Sequence, residues 1–396
     1  MFRRVYLDNA ATTPVDPRVK EAVLPYLTDR FGNASSIHFY GQEARSAVDK
    51  ARHQVADLLG ARPNELIFTS GGTESNNLAI KGVVRANRRH GDHIVTSSIE
   101  HPAVGTVCGS LEEYGRRVSI VPVEPAGVVS PEKIAAAITD ETVLVSVMLV
   151  NNEIGTVQPV REIAEIIKER RTSGQKIWLH TDAVQAVGKI PFSIEEVGCD
   201  LLSLSGHKIY GPKGIGALYV RRGVRIESQN LGGHQERERR GGTENVAFVA
   251  GLGTACEVAR QESGENAERA EKLRDSFEAH ILESVPDVVI NGIEGPRSPY
   301  ISNVSFKGIA GEGLLINLDM SGVAVSTGSA CSSGNVEPSH VIVALGVGDE
   351  TARGSVRFSF GKDNTEEDVN YVLGLLPKAV ENLRRLSPQY QSASGT

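Results

Sequence analysis

No apolar run in this 396-residue chain approaches the roughly 18 residues that a membrane-crossing helix requires, so no span is expected. An excess of basic charge is missing too. The formal charge of −7 argues against a general nucleic-acid or membrane-surface binder, and neither partner is expected. Cysteine pairs are lacking: Cys108, Cys199, Cys256 and Cys331 stand far apart, with no C-x-x-C. That spacing argues against a zinc module or a disulfide framework, and no metal site is expected. The common nucleotide fingerprints are absent as well. No G-x-x-x-x-G-K-[ST] occurs, and no G-x-G-x-x-G follows the first strand-like run, which disfavours a nicotinamide dehydrogenase. The opening "MFRRVYLDNAATTP" has two arginines but no apolar signal core, so a cytoplasmic protein is expected.

What remains is an ordinary soluble composition, 40% hydrophobic and 23% charged, in a chain long enough for two domains. From about Ala44 to Val220 short β-rich runs alternate with helical patterns. The runs are "ELIFTS", "HIVTSS", "RVSIVPV", "TVLVSVMLV", "KIWLHTDA", "DLLSLS" and "GIGALYV". Strands alternating with helices predict an α/β fold, a mostly parallel seven-stranded sheet covered on both faces. A long amphipathic stretch over about 247–285 predicts a helical connection between two lobes. Beyond it, "YISNVSF", "VAVSTGSA" and "SVRFSFG" suggest a smaller α+β domain, which the extreme N-terminus joins. The expected division is 13–260 for the large domain, with 1–12 and 261–396 forming the small one.

In such sheets ligands bind beyond the carboxyl ends of the strands, and the polar residues of interest here follow strand runs. "TSGGTESNNLAI" turns through two glycines into a helix near Thr73, with Gly72 allowing close backbone approach. A helix N-terminus offers free N–H groups to a phosphate; an ordinary N-cap after a Gly-Gly turn reads as well from these residues alone. "KIWLHTDAVQAVG" ends a strand on Asp182, a carboxylate that needs a partner if buried, with Gln185 three residues on. His101 in "SSIEHPAV" follows a strand in the same manner, to stack on a planar ligand, to move a proton, or simply as a structural ring. "SGHKIYGPKG" puts Lys208 directly after a core strand, flanked by Ser205 and His207. It is either a solvated loop lysine or an amine kept for covalent chemistry with a carbonyl. A lysine for an aldehyde, an acid for a pyridinium nitrogen and a helix N-terminus for a phosphate are together the three needs of pyridoxal phosphate.

The chain resembles the cysteine desulfurases of the NifS/IscS type, in the class V aminotransferase branch of the fold-type I pyridoxal-phosphate enzymes. The resemblance runs from "YLDNAATTP" to "RGSVRFSFG", through "FGNASSIH", "TSGGTESNN", "EHPAV", "NNEIGT", "HTDAVQAVGK", "SGHKIYGPKGIGALYVR", "RRGGTEN" and "STGSACSSG". It implies that Lys208 bonds the cofactor, His101 stacks on its ring and Asp182 pairs with the ring nitrogen. Asn152 and Gln185 would approach the ring oxygen, Asn152 also standing near the substrate. Gly72, Thr73, Ser205 and His207 would hold the phosphate, with Thr243 of a second copy, hence a homodimer. Arg357 would take the carboxylate of L-cysteine. Cys331 would accept the sulfur as a persulfide and pass it to an iron–sulfur scaffold or another acceptor protein, and is the one residue that could ligate a cluster in transit. Alanine would be the other product.

Selenocysteine lyase or cysteine sulfinate chemistry on the same site, an aminotransferase that makes a keto acid, and a non-catalytic sulfur carrier are the rival readings. Ala34 stands where this family usually has proline. His234 and Glu238 occupy positions where small or apolar residues are commoner. These departures leave the expected cofactor set untouched and bear on the substrate entrance and the dimer loop.

Overall fold

The structure is a computed structural model that describes residues 3–327 and 338–387. Its largest sheet has seven strands, in the spatial order Leu66–Thr69, Gly216–Val220, Leu201–Ser205, Trp178–Asp182, Thr142–Ser146, His93–Ser97, Arg117–Val121. Gly216–Val220 is antiparallel to both its neighbours and the others share one direction, so the sheet is mostly parallel as expected. Five of its strands are buried along their whole length, because helices cover both faces and leave no solvated side. The edge strand Arg117–Val121 differs. It is partly exposed, and its Arg117 pairs with Asp92 and Glu141, charges that discourage pairing with another edge.

A second apolar core lies apart from the first. It gathers Leu273, Phe277, Val304, Phe306 and Phe358 around an antiparallel sheet ordered Ser355–Ser359, Ile301–Phe306, Val288–Ile290. Val5, Leu7 and Ala10 pack into this core, and Val5–Tyr6 pairs in parallel with Val323–Ala324. The segment containing Val341, Ile342, Leu345 and Ala352 packs instead on the first core. The helix Val246–Ser284 joins the two. At 39 residues it is about 58 Å long, burying Val249, Leu252 and Cys256 near its start and Leu273, Phe277 and Ile281 near its end. Its first half lies close against the helix Phe39–Leu59, where Gly253 is required: a Cβ there would come within 2.6 Å of the Ala51 backbone. Among the described residues no helix is long and apolar enough to cross a membrane.

Candidate active site

A cavity of about 390 Å³ opens where the strands of the large sheet end. Its walls include Gly72, Thr73, His101, Asn152, Asp182, Gln185, Ser205, His207, Lys208 and Arg357, ten residues singled out from the sequence. Most follow the strand ends of the large sheet, while Arg357 comes from the middle of the strand Ser355–Ser359. Leu66–Thr69 runs through Gly71 into the helix Gly72–Ala86, which aims its first N–H groups at the cavity. A Cβ on Gly72 would sit 2.7 Å from the Val184 side chain, so only glycine lets the chain pass here. His101 caps the helix Pro102–Glu113, its Nδ1 accepting from the Ala103 N–H at 3.1 Å. A neutral ring therefore carries its proton on Nε2. Burial, with lesser repulsion from Lys208, His340 and Arg357 outweighing the pull of Asp182, keeps its pKa below the ordinary histidine value.

Asp182 ends its strand as a buried carboxylate. Oδ2 accepts from Asn76 Nδ2 at 2.7 Å and Oδ1 from the Val184 N–H at 3.0 Å. Among the described residues no cation forms an ion pair with it, so its charge faces the cavity. Asn76 was not singled out from the sequence. The signal was there in "TSGGTESNN": Asn76 sits one turn after Gly72, on the buried face of that helix.

Lys208 closes the short 3₁₀ turn Gly206–Lys208 after the strand Leu201–Ser205. Its Nζ donates to the carbonyls of Ala10 and Ala11 at 2.6 and 2.7 Å. Burial, then Arg357, pull its pKa down to about 8, against the opposing effect of Asp8 and Asp182. About a tenth of this amine is therefore neutral and nucleophilic at pH 7, far more than of a solvated lysine. Burial and the cations Lys208, Lys213 and Lys189 lower His207 to about 4, so its ring is neutral, with Nδ1 3.1 Å from Thr12 Oγ1.

The opposite wall comes from the smaller sheet. Arg357 is buried in the strand Ser355–Ser359; Nη1 donates to the Asn152 carbonyl at 2.7 Å and Nη2 to Asp8 Oδ1 at 2.8 Å. Among the described residues its Nε has no hydrogen-bond partner, nor has the buried Oδ1 of Asn152, and both residues line the cavity. Orphaned buried polar atoms of this kind cost roughly 1–3 kcal/mol each unless a ligand or water meets them. Asp8 was also missed from the sequence, since nothing in "YLDNAATTP" reveals a partner 349 positions away. Glu100, wholly buried behind His101, accepts from Ser97 Oγ at 2.6 Å and the Met148 N–H at 2.9 Å; burial raises its pKa to about 8.

Two expected residues are not on these walls. Thr243 is exposed and does not line the cavity within this single chain. Cys331 lies outside the described residues; Ser326, five positions before it, is on the cavity wall. The other three thiols are buried, and burial pushes each up to about 12, which leaves them inert. The departures Ala34, His234 and Glu238 do not line the cavity either. Ala34 is buried, its carbonyl accepting from Arg45 Nε at 3.2 Å. His234 and Glu238 pair with one another in solvent at 2.8 Å, and Glu238 with the preceding Glu236 and Arg237 adopts left-handed backbone.

The site fits a cofactor with an aldehyde, a ring nitrogen and a phosphate. It offers a low-pKa amine, a buried carboxylate without a cation, unpartnered polar atoms and a helix N-terminus behind an obligatory glycine. Residues 5–372 match the family described as Aminotransferase class-V. A cysteine desulfurase IscS of Dictyoglomus turgidum is 49% identical over 391 residues, covering 99% of this chain and 98% of its own. A protein of the same name from Methanosarcina thermophila is 50% identical over 386 residues, covering 98% and 94%. A solved NifS-like protein superposes with a TM-score of 0.88 at 40% identity, over 96% of this chain and 99% of its own.

Proposed function

From the premise that the chain belongs to the class V aminotransferase family, among its pyridoxal-phosphate-dependent cysteine desulfurases, we propose that it moves sulfur from L-cysteine to Cys331 in the cavity described above. The observation that carries this reading is Asp182, a buried carboxylate without a cation, facing the same cavity as the low-pKa amine of Lys208. When bound, pyridoxal phosphate supplies an electron sink for a carbanion formed at Cα of the amino acid.

The residues divide the rest of the work. Lys208 would hold the cofactor aldehyde and, as a neutral amine, would take the Cα proton. Asp182, oriented by Asn76, would keep the ring nitrogen protonated. His101 would stack on the ring, and Gln185 and Asn152 would serve the ring oxygen. Gly72, Thr73, Ser205 and His207 would hold the phosphate. Arg357 offers its unpartnered Nε to the substrate carboxylate, with Asp8 and the Asn152 carbonyl fixing the guanidinium plane. The Cys331 thiolate attacks the substrate sulfur. The new S–S bond forms as the C–S bond breaks, the electron pair goes to carbon, and protonation yields alanine.

The wider setting is part of the same proposal. Persulfide sulfur passes to an iron–sulfur scaffold or another acceptor protein in the cytoplasm. Two copies associate, each lending Thr243 to the other's phosphate site. Exposed apolar side chains support a covered face: Ile37 is 91% exposed and Leu231 88%, and Phe31 and Phe39 are exposed as well. The lobes divide at 13–260 against 1–12 with 261–396. The separate apolar cluster around the small sheet supports this boundary, with the segment around Val341–Ala352 leaning across it.

The test is chemical. Cysteine treatment followed by alkylation and mapping is expected to find the reactive thiol at Cys331, protected as a persulfide. Cys331→Ser is expected to stop sulfide release while the visible cofactor band still responds to L-cysteine. Alkylation mapped to Cys108, Cys199 or Cys256, or full desulfuration by the serine variant, would sink the reading. Retained turnover of L-selenocysteine alone would favour a lyase, and a keto acid product an aminotransferase.

A further inference from the structure

Lys189 is 7% exposed, and among the described residues its ammonium meets no carboxylate. Gly188, in left-handed backbone at φ 68° and pressed against Ala259 and Ile209, turns Lys189 inward. Its Nζ donates to Gln185 Oε1 at 2.6 Å. The other end of that amide, Nε2, donates to the Ala10 carbonyl at 2.8 Å. Ala10 O also accepts from Lys208 Nζ at 2.6 Å. A continuous hydrogen-bonded chain thus runs from Lys189 through Gln185 and Ala10 to Lys208. The two lysines also share the wall of a second cavity of about 30 Å³, room for about one water. Lys208 and Arg357 are the cations that act on Lys189, while Glu262, Lys362, Tyr210 and Tyr300 face it across the small cavity.

A buried lysine is costly, and one held only by an amide needs a purpose. An ammonium or amine N–H is a donor, so Oε1 must face Lys189; a carbonyl only accepts, so Nε2 must face Ala10. Both ends fix the same amide orientation. The wall that Gln185 presents to the main cavity is then an N–H donor rather than a carbonyl oxygen. We propose that Lys189 is a positioning residue that locks the Gln185 amide with its donors toward the cofactor's ring oxygen, and thereby lowers the proton affinity of Lys208 Nζ in its bond to the cofactor. A donor to that oxygen stabilises its anionic form and makes it a weaker acceptor for the proton at Nζ, so the protonated nitrogen loses support and releases its proton more readily. This rests on the reading that Gln185 faces the ring oxygen.

The experiment is a pH titration of the visible cofactor band in the loaded protein, which reads the Lys208 nitrogen directly and not turnover. Lys189→Met removes the donor at equal length, and its midpoint is expected to move up by about one unit, tenfold in proton affinity. Gln185→Met is expected to move it the same way. The double variant should match Gln185→Met alone, because Lys189 acts through that amide. An unmoved midpoint in Lys189→Met, or additive shifts in the double variant, overturns the proposal. Should Lys189→Met fail to accumulate as folded protein, Lys189→Ala is titrated in its place with the same two outcomes. A wild-type protein that develops no visible band with pyridoxal phosphate refutes the cofactor reading instead.

Discussion

On the wall built by the large sheet, Asp182 is a buried carboxylate whose partners are an amide and a backbone N–H; on the wall built by the small sheet, Arg357 is a buried cation already paired with Asp8. The first arrangement leaves a net charge turned toward the cavity. The second neutralises most of its charge within the protein and leaves one N–H without a partner among the described residues. An unpaired buried charge is tolerable only if an incoming group supplies the opposite one, which suits a resident cofactor. A paired charge with one spare donor can survive without a ligand, which suits a substrate that comes and goes. The N-terminal segment ties the walls together: Ala10 N donates to Ser359 Oγ at 2.9 Å on one side while its carbonyl receives Lys208 on the other.

The comparison can be broken most severely at Lys208, which belongs to the large-sheet wall. Lys208→Ala is expected to lower alanine and sulfide production by at least about 10³-fold, because the covalent tether and the base are lost together. Near-wild-type turnover would remove the lysine from the chemistry. Asp182→Asn keeps the shape and removes the charge. Losing a buried charge partner at roughly 3 kcal/mol predicts about a 10²-fold fall in kcat. If that variant equals wild type, the large-sheet wall carries no charge requirement and the contrast drawn above is empty.

Arg357→Ala should act differently, raising KM for L-cysteine by about 10- to 100-fold with a smaller change in kcat, since a charge-assisted hydrogen bond to substrate is lost. A fall in kcat with KM unchanged would contradict its assignment to the substrate side. The mildest test separates the walls by sign. Cofactor-free protein should capture pyridoxal phosphate faster as pH rises, half-maximally near pH 8, where Lys208 loses its proton. Asp182 raises that pKa and Arg357 lowers it, so Asp182→Asn should move the midpoint down and Arg357→Ala up. Shifts in the same direction would show that the two charges do not act on the amine as the geometry requires.

Most strands of the large sheet were legible as apolar runs because a strand buried on both faces has few polar positions to blur the pattern; the partly exposed edge strand Arg117–Val121 was legible from its β-branched residues instead. Lys208, Asp182, His101 and Gly72 were legible for a related reason: each interrupts or ends such a run, so local sequence alone marks it as out of place. Asn76 and Asp8 were not, since an asparagine in a helix and an aspartate after a two-residue strand break no local rule. Their importance lies in the partners that folding brings to them. Lys189 is the clearest case. By itself the sequence "AVGKI" shows a lysine after a glycine, and a solvated lysine is the ordinary expectation. Only the packing of the Gly188 turn against Ile209 and Ala259 buries that amine and delivers it to Gln185. Hydrophobic period and residue type fix which strands form and where polar groups follow them, because those effects act over a few neighbouring residues. Burial, charge pairing and the direction of a hydrogen bond depend on distances between residues far apart in the chain, such as Asp8 and Arg357, and the tertiary structure alone decides them.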